Sequence, residues 1–297
     1  MNNISINSPE PNKTKYFYIT SSNRTSIGNK MSEFVQEKVI EISLINKTEN
    51  ELVFNYKLMA QNMQGTAKIH SWTADMDDLQ SDLVLVTDLE GNFKDIHKFI
   101  YLFHKWENQI LPKLRVKYAK HQPGLDVLIA ETSKSLKNKE TFIKSFVGYS
   151  AWRFFFQSWY RQYEKEEIKP MLLKGYFGKI DLPLVVSSHT MPISENTLGI
   201  ENNAVLDKDK FDRKSFARML KDLTNIYSID ATLTVDMEEI YEMNSDGWLE
   251  KGDMFLETAV ANWYEVSTAH QIKQVTRAEQ ELLIEEIKQK NTKQRVL

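Results

Sequence analysis

Ten of the 22 residues from Phe142 to Tyr163 are aromatic, out of 33 aromatic residues in the whole 297-residue chain. Each large ring buries on the order of 150–250 Å², so a stretch this dense must be enclosed from more than one side. Phe142, Phe146, Tyr149, Trp152, Phe156, Tyr160 and Tyr163 recur at helical spacing, and Phe154, Phe155 and Trp159 widen the stripe to most of the circumference. The spacing predicts a helix over about 139–167. A helix with so wide an apolar face demands a partner layer large enough to clasp it.

The first third of the chain supplies such a layer. Tyr16–Ile27 and Phe34–Ile45 carry β-branched and aromatic residues in alternation, and after the polar turn Asn46–Asn50 the residues Leu52, Phe54, Tyr56 and Leu58 point to one face. A further strand is expected around Thr66–Thr73, then Leu83–Thr87 leading into the turn Asp88–Asn92. The period then changes to 3.6: Ile96, Phe99, Ile100, Phe103, Trp106, Ile110 and Leu114 form one stripe that Pro112 should divide, and a second helix is expected over Leu125–Leu136. Met171–Ile180 and Leu182–Val186 look extended, although Pro183 and Pro192 suit an edge or a loop. Asp209–Ile226 is an amphipathic helix, Ile229–Met243 and Trp248–Val275 are extended around a turn at Asn244–Gly247, and a last helix starts at Thr276, with Glu279 completing a capping box. The reading is a single α+β domain over 14–291, with a curved antiparallel sheet wrapped around an aromatic-rich helical block. Residues 1–13 are expected as a disordered tail and 292–297 as a frayed one.

Composition removes several classes of function. With 38 Lys and Arg against 41 Asp and Glu, there is no basic field to hold nucleic acid. No cysteine is present, which excludes thiolate metal ligands and thiol nucleophiles. None of the ten glycines forms a phosphate-binding loop. His97 and His104 lie seven apart, outside the spacing of three or four that a helical metal pair needs, and neither His189 nor His270 belongs to a catalytic motif. The acidic runs Asp75–Asp82 and Asp207–Asp212 fail the calcium-loop spacing and suit solvated loops or helix N-termini. No cofactor or metal is expected. No leader peptide and no apolar span of membrane length is visible, which points to a cytoplasmic chain, or a periplasmic one if a leader has been removed.

The order of elements over about 15–290, with turns such as Asp88-Leu-Glu-Gly-Asn92 and Ser245-Asp-Gly-Trp248, resembles the half-barrel LolA and LolB lipoprotein carriers. The resemblance implies a strongly curved sheet around helices and a hydrophobic cavity for lipid; it assigns no residue a role. The expected function is a non-enzymatic binding protein whose aromatic-lined cavity or face uses Phe99, Phe103, Trp106, Phe146, Trp152 and Phe156, with a lipid-like molecule as the expected ligand. The alternative is a cytoplasmic protein-interaction module, such as an immunity protein or a secretion-system adaptor, presenting an acidic or apolar surface to a protein partner. A third reading, ranked below both, is an enzyme whose carboxylates and histidines meet only on folding.

Overall fold

The computed structural model describes residues 4–66, 68–118, 122–226 and 230–294. The chain runs outward through β2 (Thr14–Ile27), β3 (Lys30–Lys47), β4 (Leu52–Gly65), β5 (Asp82–Thr87) and β6 (Phe93–Ile96). It then crosses to the far edge and returns through β8 (Glu166–Phe177), β9 (Ile180–Ser194), β10 (Thr197–Leu206), β11 (Thr234–Asn244), β12 (Leu249–Val260) and β13 (Tyr264–Val275). These eleven strands form one open antiparallel sheet, and the two halves of the chain meet where β13 pairs with β2, from Tyr264 opposite Ile27 to Val275 opposite Tyr16. Alternation decides which face each residue takes: in β11, Met237, Glu239, Tyr241 and Met243 are buried while Glu238, Ile240 and Glu242 point outward.

The sheet is strongly curved. Phe54 on β4 and Trp248, the residue just before β12, are four strand spacings apart, roughly 19 Å in a flat sheet. Their ring centroids lie 6.3 Å apart. Inside this concavity, Phe155 meets Phe17 at 5.2 Å, Phe156 meets Phe54 at 6.3 Å and Trp159 meets Tyr241 at 4.7 Å. One short stretch of chain, Phe155–Trp159, thus touches strands from both halves. A second core lies under α6 (Arg213–Thr224), whose Phe216 and Leu220 pack with Leu184, Val186, Met237 and Leu256. On the opposite face, α7 (Arg277–Gln294) packs across β2, β3 and β4, where Lys290 pairs with Glu37 and the Asn291 amide donates to the Gln61 carbonyl.

The aromatic segment is not one long helix. α5 (Lys139–Phe146) ends early, Gly148 takes a positive φ of 42°, and a short 3-10 turn, Ala151–Phe154, starts at Ser150, whose hydroxyl accepts from the Trp152 amide. The rings cover the whole circumference because the backbone changes direction, not because a helix is buried all round. The strand expected at Thr66–Thr73 is also replaced: α1 (Lys68–Leu79) occupies residues 68–79, and residue 67 lies outside the described residues. The Asp75–Asp82 run therefore falls at the C-terminal end of a helix, where acidic groups oppose the dipole. Lys105 compensates by donating to the carbonyls of Asp78 and Leu79. Asp212, by contrast, sits where expected, capping α6 through the Ser215 amide at 3.0 Å.

The stripe from Ile96 to Leu114 is divided into α2 (Ile100–Lys105), a π turn at Trp106–Ile110 and α3 (Leu111–Lys117), and Pro112 follows directly on the π turn, where the helical hydrogen-bond ladder changes register: the Leu111 amide donates to the Trp106 carbonyl. The second helix is α4 (Gln122–Lys137). β9 is an internal strand despite Pro183 and Pro192, flanked by β8 and β10, and the register irregularities on its two sides lie between Leu173 and Phe177 and at Thr197 and Leu198. The capping box at Thr276 holds: Glu279 accepts from the Thr276 amide at 2.7 Å, and Thr276 Oγ1 accepts from the Glu279 amide at 3.3 Å.

The expected N-terminal tail is tied down over its described part. β1 (Ile4–Ser5) pairs with β7 (Gln162–Tyr163), Ile6 is buried, and the Asn12 amide donates to the Leu44 carbonyl. Residues 1–3 lie outside the described residues, as do 295–297, whereas 292–294 belong to the last turn of α7. Gly247 makes the N-terminal docking possible: its φ is +79°, and a Cβ there would sit 2.3 Å from the Asn7 carbonyl oxygen. Gly247→Ala is expected to cost about 2–4 kcal/mol, from left-handed strain plus displacement of the docked segment. Limited proteolysis checks this, since cleavage before Thr14 should accelerate in the variant.

Candidate functional site

A cleft of about 310 Å³ opens between β2, β3, β4 and β13 on one side and α1 with the segment Phe146–Phe155 on the other. Its apolar wall is built from rings: Trp152 lies 4.6 Å from Tyr56 and 4.7 Å from Phe146, centroid to centroid, and Phe155 stands edge-on to Phe17. Ser150 sets this wall. Its Oγ donates to the Val147 carbonyl at 2.5 Å and accepts from the Trp152 amide at 3.4 Å, which starts the turn that carries Trp152 towards Tyr56.

The other wall is polar. Lys38 Nζ donates to Asp77 Oδ1 at 2.8 Å, and Gln36 Nε2 donates to Asp77 Oδ2 at 2.5 Å. Nearby, His270 Nδ1 and Ser21 Oγ are 2.8 Å apart. Burial pushes the His270 imidazole down to about 4, and Lys38 adds to the effect, so the ring is neutral at neutral pH. Desolvation raises the Tyr56 hydroxyl well above the usual phenol range, with Asp77 contributing, so it too stays uncharged.

Of the six aromatic residues predicted to line a cavity, Phe146 and Trp152 line this cleft. Phe156 sits behind them, 5.9 Å from Trp152 and 5.6 Å from Phe93. Phe99 packs against Phe142 at 5.2 Å and Phe103 is a partly buried neighbour of the same core. Trp106 is fully buried, edge-on to Trp72, with its Nε1 donating to Ser133 Oγ at 2.9 Å. The polar wall was missed because Ser21, Gln36, Lys38, Asp77 and His270 share no local motif. One signal was available: His270 occupies the same face of β13 as the buried Ile272, so a polar ring in the inward register is marked by alternation alone.

A second buried polar group lies further along the concave face. The Glu239 side chain is 0% exposed and receives Arg153 Nη2 at 3.1 Å and Asn202 Nδ2 at 3.0 Å, and Ser188 Oγ donates to Asn202 Oδ1 at 2.6 Å. Burial, the largest single influence, works against the Arg153 charge, but Glu239 together with Tyr241 and Tyr149 more than offsets it and raises the affinity of Arg153 for its proton.

The fold and cleft define an α+β protein with an open, curved antiparallel sheet clasping aromatic clusters. No family model and no curated protein matches the chain, so no match ties it to the LolA and LolB carriers. A solved structure entitled "Lipid-protein interactions in lipovitellin" is similar over 90% of this chain and 25% of that one, at 10% identity and a TM-score of 0.49; this chain spans about a quarter of that protein's length. Among the described residues, no helix is long and apolar enough to cross a membrane.

Proposed function

We propose that the protein binds a small hydrophobic molecule with a polar end in the cleft between the sheet and the Phe146–Phe155 segment. The observation that carries this reading is the two-sided lining: the rings of Tyr56, Phe146, Trp152 and Phe155 face a wall of Ser21, Gln36, Lys38, Asp77 and His270. Ligand sites of this kind combine apolar area with a few oriented polar groups. At roughly 30 Å³ for each water-sized group, 310 Å³ accommodates about ten non-hydrogen atoms. The expected occupant is therefore a compact molecule or the end of a longer chain.

Isothermal titration calorimetry with 2-naphthol tests the reading. Its ring system matches the cleft in size, and a ligand of this size is expected to bind with a Kd on the order of 10–100 μM. Trp152→Ala removes the ring that contacts both Tyr56 and Phe146 and should weaken binding about tenfold or more. Absence of measurable binding to the unmodified protein at millimolar probe would overturn the proposal.

A further inference from the structure

We infer that the Lys38–Asp77 pair makes the cleft selective for uncharged ligands. This inference rests on the cleft being a ligand site, and it names the chemical class the cleft accepts.

Lys38 and Asp77 are the charged side chains among the cleft's lining residues, and they are spent on each other at 2.8 Å. Their side chains are only 19% and 15% exposed, so solvent does little to loosen the pair. Gln36 occupies the second Asp77 oxygen. The third titratable group on this wall, the His270 imidazole, is neutral at neutral pH. The lining therefore carries no net charge and holds no spare counter-ion for a ligand. A carboxylate or an ammonium entering it would be stripped of water without an opposite charge to meet. A hydroxyl or carbonyl needs only hydrogen-bonding groups and has no such penalty.

The pair cannot easily swing apart to serve a charged guest. Asp77 is in the last turn of α1, and α1 is fastened at both its middle and its end: Gln61 Nε2 donates to the Ala74 carbonyl at 2.9 Å, and Lys105 donates to the terminal carbonyls and to Ser81 Oγ. Lys38 is held in β3, paired to β2 and β4 on its two sides. Selectivity against charge is thus built into the backbone positions of the two residues.

The test is calorimetric titration of 2-naphthol, 2-naphthoate and 2-naphthylmethylammonium, which share one ring system and differ in charge. The unmodified protein is expected to bind 2-naphthol at least tenfold more tightly than either ion. Asp77→Asn frees the Lys38 charge and should raise the affinity for naphthoate relative to naphthol at least tenfold. Lys38→Met frees Asp77 and should shift the preference to the ammonium by a similar factor. Equal affinities of the unmodified protein for all three probes would overturn the inference while leaving the cleft as a binding site. So would a variant with an unchanged melting temperature and an unchanged ranking. If all three probes fail to bind, the cleft is not a ligand site and both readings fall. Should either variant unfold, the comparison of the three probes on the unmodified protein decides.

Discussion

Arg153→Met is expected to lower the unfolding free energy by about 3–5 kcal/mol, the largest single effect anticipated in this protein. The reason is what it leaves behind. Glu239 projects from the centre of β11 onto the concave face with no exposed side-chain surface, and Arg153 is the cation that faces it at 3.1 Å. Without Arg153, the carboxylate keeps one neutral donor, Asn202, at 3.0 Å, and must either remain charged in a poorly solvated site or take up a proton. Glu239→Gln alone should cost less, because the amide oxygen still accepts from Asn202. Arg153→Met combined with Glu239→Gln should recover most of the loss, since no uncompensated charge remains. Urea unfolding of the three variants measures these differences. A cost below about 1 kcal/mol for Arg153→Met would show that the pair is not electrostatically isolated, contrary to its geometry.

Acid should destabilise the protein through His270 in a window set by burial. The folded-state value is about 4, against an ordinary 6.5. Below pH 6.5 the unfolded chain takes up a proton that the folded protein refuses until about pH 4, so the unfolded state binds more protons throughout that interval. The His270 contribution is therefore complete above pH 6.5, falls as the pH drops and is lost by about pH 4. The total loss is about 3 kcal/mol. Other groups titrate in the same range, so the difference between the unmodified protein and His270→Gln isolates the term. The two urea midpoints should converge as the pH is lowered from 7.5 towards 4.5. Parallel curves would mean that the imidazole is protonated in the folded state and that the Ser21 contact tolerates it.

Both predictions turn on an inward-facing polar residue of a long strand, Glu239 on β11 and His270 on β13, and the strands are the part of this fold most visible in sequence. The alternation of Leu52, Phe54, Tyr56 and Leu58 appears directly as the buried face of β4, and the Thr276 and Glu279 box as the start of α7. The aromatic segment departs from its helical pattern for a definite reason. Ring-rich residues at spacings of three and four satisfy a helical template, but Gly148 and Ser150 redirect the backbone between Phe146 and Ala151. Thr66–Thr73 failed in the opposite sense, because α1 is stabilised by contacts its own pattern does not contain, such as Gln61 to the Ala74 carbonyl and Lys105 to its last turn.

Strand faces, several turns and the helix caps are legible in the sequence, since each depends on stereochemistry within two to four residues. The tertiary structure alone decided the cleft. Ser21 and His270 are 249 positions apart and meet because β2 pairs with β13, while Lys38 and Asp77 meet because α1 is laid across the concave side of β3 and β4. The first juxtaposition depends on the register between strands from the two ends of the chain and the second on the packing of α1 against the concave face, and no local stretch of sequence specifies either.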